Sequence, residues 1–231
     1  MKMKFSLIKL LTIVLVTINL TTLCHAGEKS RLISNLESGK KQTLITYGTS
    51  LTSHGAWVPQ LQQELNKRYP GKALVINSGK SGKASDWGLE NFESRVIARK
   101  PDTVIIEFAM NDAFQPYKIS VKKAQSNLEN MINRILKTNP DCEIILMVMN
   151  TTLGKAKKAR PDLLKHNKMY RDVAQKRKFL LIDHYQNWKK ILDDNPKLFD
   201  KYVPDGIHPK AEGCKAVITP QIIKSLGMGS K

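Results

Sequence analysis

Two short strings, far apart in the chain, hold residues able to do nucleophilic chemistry together. Ser50 stands in Tyr47-Gly48-Thr49-Ser50-Leu51-Thr52, directly behind an apolar run. Gly48 permits a sharp turn there and leaves the serine hydroxyl free. Taken alone this is ordinary turn composition, and Ser50 would also serve as a helix cap. The second string is Pro204-Asp205-Gly206-Ile207-His208-Pro209. An acid three residues before a histidine, with glycine between and proline after, can fold back until carboxylate and imidazole meet. The acid then fixes one ring nitrogen and leaves the other facing a nucleophile, so that the imidazole can take a proton from a serine. The remaining histidines lack such a setting. His54 follows Ser50 too closely, His166 lies in a basic helical stretch, and His184 directly follows Asp183, so those two side chains diverge.

Two further strings offer donors. Ala109-Met110-Asn111-Asp112 places a carboxamide where it can donate to a developing oxyanion, with Asp112 able to brace the loop; an Asx turn would use the same residues. The stretch Asn77 to Ser85 is rich in Gly, Ser and Lys, and its glycines let backbone N–H groups approach an anion closely. Gly79-Lys80-Ser81 imitates the end of a phosphate loop, but that motif needs a glycine where Leu74 stands, and Asn77 and Ala84 break the alternative register. Nucleotide binding is thereby excluded. No Cys/His cluster has zinc-ligand spacing, so no metal is expected.

The elements that must position these strings read as alternating short apolar runs and longer amphipathic ones. Strands are expected over 43–47, 73–77, 103–108, 143–149 and 179–183. Helices are expected over 56–69, 86–100, 119–138, 162–178 and 210–226. Strands apolar throughout, each followed by a helix, indicate a parallel sheet covered on both faces. The expected fold is α/β, a three-layer α/β/α sandwich around a five-stranded parallel sheet. In such sheets ligands gather beyond the carboxyl ends of the strands, which is where Ser50, the 77–85 loop and Asn111 fall.

Taken in chain order, the strings around Ser50, Gly82, Asn111 and Asp205/His208 resemble the SGNH branch of the GDSL esterase/lipase family, across about Thr43 to Gly213. The resemblance implies a flavodoxin-like fold and a serine ester hydrolase with no cofactor. It implies Ser50 as nucleophile, Asp205 and His208 as acid and base, and an oxyanion hole made by the Ser50 and Gly82 N–H groups with the Asn111 carboxamide. Two positions depart from the family pattern. Thr49 stands where Asp is usual before the serine, and Ala109 where Gly is usual two before the asparagine; altered loop bonding is expected rather than lost chemistry. The Gly-x-Ser-x-Gly elbow of α/β-hydrolases is absent, since Thr52 occupies its second glycine position. Lys80, Lys83 and Trp87 flank Gly82, where a cation and an indole suit an acidic sugar; simple loop exposure accounts for them equally well. A small ester or an acylated glycan is the expected partner, with acetyl removal from carbohydrate favoured. Lysophospholipase or acyl-thioesterase activity is the alternative within the family, and a non-catalytic glycan-binding module the alternative of another class.

The ends and the composition bound these expectations. Lys2, Lys4 and Lys9 precede an acid-free apolar run that closes on Cys24-His25-Ala26, the pattern of a secretory signal peptide cleaved after Ala26. Export to periplasm or exterior is the expectation, with no stable membrane insertion once the leader is removed. Residues 27–231 then form a single domain. The formal charge of +18 falls to about +15 without the leader lysines, a balance that attracts polyanions. The lysines are dispersed and no aromatic-rich basic motif joins them, so a solvated basic surface is expected and no nucleic-acid partner. Cys142 and Cys214 remain, either as a disulfide, which export permits, or as two buried thiols.

Overall fold

The computed structural model describes residues 29–229, so the expected leader, 1–26, lies outside the described residues. Five strands, β1 (Gln42–Gly48), β2 (Ala73–Asn77), β3 (Thr103–Glu107), β4 (Glu143–Val148) and β5 (Leu180–Asp183), form one sheet in the order β2-β1-β3-β4-β5. Every neighbouring pair is parallel. The winding reverses after β2, so β1 and β3 lie side by side at a switch point, where the carboxyl ends of the strands open a crevice.

Side chains on a strand alternate between its faces, which is why these runs must be apolar at every position. Leu44, Ile105, Ile145, Met147 and Ile182 face one layer, where they meet Leu32, Trp57, Leu61, Trp188, Phe199 and Ile222. Ile45, Tyr47, Val104, Ile106, Leu146 and Val148 face the other, against Phe92, Leu128, Ile132, Tyr170 and Val173. The first layer is built by α1 (Arg31–Glu37), the single turn α2 (Ser50–Ser53), α3 (Trp57–Arg68) and helices near the C-terminus described below. On the opposite face lie α4 (Ser85–Glu90), α5 (Phe92–Arg95), the turn α6 (Ala109–Asp112), and the long helices α7 (Val121–Thr138) and α9 (Leu163–Arg177), with the short α8 (Gly154–Lys158) at the rim. After β5 come α10 (Tyr185–Asp194), α11 (Pro196–Tyr202), α12 (Ala211–Gly213) and α13 (Thr219–Ser225).

Several expected elements differ in detail. Strand β2 is an edge strand, and Leu74 is 55% exposed, so this strand is not covered on both faces. The single helix expected over 86–100 is instead α4, α5 and a 3-10 turn at Ile97–Arg99. The chain leaves helical geometry at Val96 (φ −123°, ψ −63°), while Phe92 and Val96, one turn apart, both stay fully in the core. In the C-terminal tail a π-helical turn, Cys214–Ile218, separates α12 from α13. Pro220 lies in the first turn of α13, where its missing N–H is tolerated. Both cysteines are free and buried, Cys142 in one core layer and Cys214 in the other, so the thiol alternative holds.

Candidate active site

Beyond the carboxyl end of β1 the chain turns at Gly48 into α2, with Ser50 as its first residue. Gly48 pairs with Glu107 at the end of β3, and a Cβ at position 48 would lie 2.2 Å from Glu107 Oε1; only glycine leaves room for that carboxyl group. Glu107 accepts from the Thr49 N–H (2.7 Å), the Thr52 hydroxyl (2.7 Å) and the Thr49 hydroxyl (3.0 Å). The Thr49 oxygen also caps α2 by accepting from the Leu51 N–H. One buried acid thus holds the residues on both sides of Ser50. Burial pushes Glu107 up to about 7, although each of these donors opposes the rise. The departure at Thr49 is accommodated in this way: the carboxyl group holding the loop comes from β3 rather than from position 49. The methyl of Ala109, the other departure, is buried against the core.

The 204–209 loop docks on the end of β4. Asn150 donates to the Ile207 carbonyl (2.9 Å), and Gly206 accepts from the Leu153 N–H (2.9 Å). Gly206 adopts φ +74°, and a Cβ there would meet the Leu153 carbonyl oxygen at 2.6 Å. Asp205 folds back over this turn. Its Oδ1 accepts from the His208 N–H (2.7 Å) and the Ile207 N–H (3.0 Å), while its Oδ2 lies 2.6 Å from His208 Nδ1. Partial burial works against ionisation of Asp205, but those N–H groups and the imidazole outweigh it and hold the carboxyl below its usual value. The other ring nitrogen, His208 Nε2, is 2.8 Å from Ser50 Oγ.

The third side of the crevice comes from the loops after β2 and β3. Asn111, nearly buried in α6, donates one amide hydrogen to the Lys83 carbonyl (2.9 Å) and keeps a second. Gly82 takes φ +65°, and its carbonyl accepts from the Tyr117 hydroxyl (2.8 Å). Among the described residues, the N–H groups of Ser50 and Gly82 find no protein acceptor. Asp112 braces the same corner, with Oδ1 accepting from the Ser85 N–H (2.8 Å); burial pushes this acid up to about 7 as well. Lys80 and Lys83 are exposed on the loop. Trp87 is half-buried, packed against Tyr47 and covered by the Arg95 guanidinium 4.8 Å from its ring.

Beside Ser50 and His208 lies a pocket of about 270 Å³, lined by Leu51, His54, Ser81, Pro209, Cys214 and Ile218. A larger cleft of about 510 Å³, between α10, α11 and α13, has neither serine nor histidine in its wall. Chemistry rather than size therefore selects the smaller one. Two residues stand out that sequence reasoning had passed over. His54 reaches the pocket because its N–H bonds the Ser50 carbonyl across one turn. Glu107 lies within the expected strand 103–108, and an acid behind the apolar run Val104-Ile105-Ile106 is the signal that marks it. His166 and His184 are buried away from the site, and burial lowers both, His184 to about 4. Among the described residues no group of three acid, histidine or cysteine side chains could hold a metal ion.

A hydroxyl bonded to an imidazole, itself bonded to a carboxylate, stands beside free N–H donors at the carboxyl ends of a parallel sheet, and fold and site together define a class, the parallel α/β hydrolases. The model of the GDSL-like Lipase/Acylhydrolase family matches residues 45–216, and this chain belongs to that family; it is a carboxylic ester hydrolase. A search of curated proteins finds no match. Among solved structures, a catalytic mutant of Axe2, an acetylxylan esterase from Geobacillus stearothermophilus, superposes with TM-score 0.70 at 20% identity, covering 81% of this chain and 95% of the other. LAE5, an alpha/beta hydrolase enzyme from the metagenome of Lake Arreo, Spain, gives 0.71 at 20% identity, covering 83% and 98%. These likenesses describe the fold.

Proposed function

We propose that this chain is an exported serine esterase that removes short acyl groups, acetyl foremost, from carbohydrate. The observation that carries the reading is the 2.8 Å approach of Ser50 Oγ to His208 Nε2, with Asp205 2.6 Å behind the other ring nitrogen. In this reading Ser50 attacks the ester carbonyl as its proton passes to His208. The tetrahedral oxyanion rests on the N–H groups of Ser50 and Gly82 and on the second amide hydrogen of Asn111. Collapse expels the alcohol, protonated by His208, and leaves Ser50 acylated; water then repeats the sequence and releases the acid. Asp205 keeps the imidazole in the tautomer that presents Nε2 to the hydroxyl.

A small pocket suits a short acyl group better than a long chain. Among the described residues no helix is long and apolar enough to cross a membrane. The likeness to an acetylxylan esterase supports a carbohydrate alcohol, and the leader at 1–26 supports export. The test is turnover of p-nitrophenyl acetate, butyrate and palmitate beside acetylated xylan. Preference for acetyl, loss of activity in Ser50→Ala with an unchanged circular dichroism spectrum, and inactivation by a serine-directed phosphonate are expected. Wild-type turnover in the Ser50→Ala enzyme would remove the nucleophile assignment, and a preference for palmitate would move the reading to lipid.

A further inference from the structure

The loops that enclose Ser50 and His208 are joined into a ring by hydrogen bonds. Lys80 N–H donates to the Gly48 carbonyl, tying the 78–83 loop to the nucleophile strand. Tyr117 binds the Gly82 carbonyl, and the Gln115 N–H donates to Ala159, so the 113–120 segment bridges to the end of α8. Arg160 Nε donates to the Met110 carbonyl. Leu153 N–H and Asn150 then close the circle onto Gly206 and Ile207.

Charge on this ring has one sign. Stretches 78–83, 113–120, 149–160 and 206–210 contain no Asp or Glu. They carry Lys80, Lys83, Lys118, Lys155, Lys157 and Lys158, all exposed, and Lys210 follows His208 by two positions. Of the acids that adjoin the ring, Asp112 is buried, Asp86, Asp162 and Glu212 are paired with Lys123, Lys165 and Lys201, and Asp205 has both oxygens engaged by the 207–208 turn and the imidazole. Ion pairs occur over the rest of the surface, such as Lys123–Asp86, Lys165–Asp162 and Arg177–Glu129, yet among the described residues none includes a lysine of the ring. The opposite end of the sheet is also rich in lysine, at Lys40, Lys41, Lys72 and Lys100, but Glu37, Asp102, Asp141 and Glu143 are interleaved there. Positive charge without acids around a cleft focuses the field into it, which raises the local concentration of an anionic substrate and its rate of encounter.

We propose that the esterase acts on O-acylated polymers that are themselves anionic, glycans bearing carboxylate or sulfate groups, with the lysine ring holding sugars on either side of the ester. This rests on the esterase reading above and specifies its alcohol part. A nucleic acid is the less fitting polyanion, since it offers no acyl ester to a serine and the ring exposes a single aromatic side chain, Tyr117. An anionic membrane surface would call for apolar side chains to enter it, and the ring presents none beyond that tyrosine.

The test compares O-acetylated alginate, acetylated xylan and p-nitrophenyl acetate with the full chain at about 0.01 M and about 1 M sodium chloride, where the screening length falls from about 30 Å to about 3 Å. A second arm uses the variant Lys118→Gln/Lys155→Gln/Lys157→Gln/Lys158→Gln. The expected result is a fall of at least about tenfold in kcat/KM on alginate with salt, carried mainly by KM and on-rate. A similar fall is expected in the ratio of alginate to p-nitrophenyl acetate turnover in the variant. Equal, salt-independent kcat/KM on alginate and xylan would overturn the proposal, as would a loss in the variant shared equally by all three esters. DNA competing for the enzyme as strongly as alginate would overturn the glycan assignment. Failure to hydrolyse any ester, p-nitrophenyl acetate included, would overturn the esterase reading and this one together.

Discussion

Ser50 and His208 are 158 positions apart, and the contact between them is made possible by residues that take no part in it. Asn111 is the clearest case for separating roles at this scale. One of its amide hydrogens is spent on Lys83, which fixes the carboxamide, and the other is the one assigned to the oxyanion in the proposed mechanism. Asn111→Ala is therefore expected to lower kcat by ~100- to 1000-fold with little change in KM, measured on p-nitrophenyl acetate. A rise in KM at constant kcat would assign Asn111 to ground-state binding instead. Glu107 acts at one remove, through Thr49 and Thr52. Glutamine at this position loses acceptor capacity but keeps the shape. We expect Glu107→Gln to fold, to lower kcat more than KM as Ser50 loses its fixed position, and to be rescued only by restoring Glu. Parallel loss of thermal stability and of activity in proportion to unfolded enzyme would reduce Glu107 to a packing role.

At the scale of elements, the site depends on turns rather than on helices or strands. The 204–209 turn delivers both Asp205 and His208, and its geometry requires Gly206 in the left-handed region against the Leu153 carbonyl. A side chain there costs about 1–2 kcal/mol for the backbone conformation alone, before the clash at 2.6 Å is relieved. Gly206→Ala should lower the melting temperature and, because the turn must move away from β4, lower kcat further than Leu153→Ala does. Unchanged kinetics in Gly206→Ala would show that the turn can slide without moving His208. The broken helix over α4 and α5 illustrates the same point from the other side. Amphipathic periodicity from 86 to 100 is continuous in the sequence, yet the chain leaves helical geometry at Val96, a break that periodicity does not encode.

Over the whole molecule, two buried acids set a pH dependence of stability opposite to that of a carboxylate held ionised by its partners. Burial raises Glu107 from 4.5 to about 7 and Asp112 from 3.8 to about 7. Between those limits the folded protein keeps protons that the unfolded chain gives up, so unfolding releases protons and stability falls as pH rises. The slope approaches about 1.4 kcal/mol per pH unit for each group within the window. Thermal melts from pH 5 to pH 8 should show a declining midpoint, shallower below pH 6.5, where the buried neutral His184 and His166 oppose the two acids, and Glu107→Gln should reduce the decline. Asp205 works in the other direction at lower pH: its carboxyl is held below 3.8, so the stability it adds is present above that value and lost on acidification. A midpoint that climbs steadily from pH 5 to pH 8 would contradict the burial argument for both acids.

What the sequence by itself determined was the order of strands and helices, the parallel α/β class and the family, because a strand buried on both faces must be apolar throughout and a covering helix must be amphipathic. The short strings around Ser50, Asn111 and His208 were legible for the same reason: turn chemistry is local, and Gly48 and Gly206 announce where the chain must bend. Only the tertiary structure decided which distant groups meet. It seated Glu107 under the Ser50 turn, turned His54 into the pocket and Trp87 under Arg95, and left both thiols apart on opposite faces of the sheet. It also gathered four acid-free loops into one ring of positive charge. None of these follows from spacing along the chain, since each depends on which strands lie side by side and on which loops their carboxyl ends bring together.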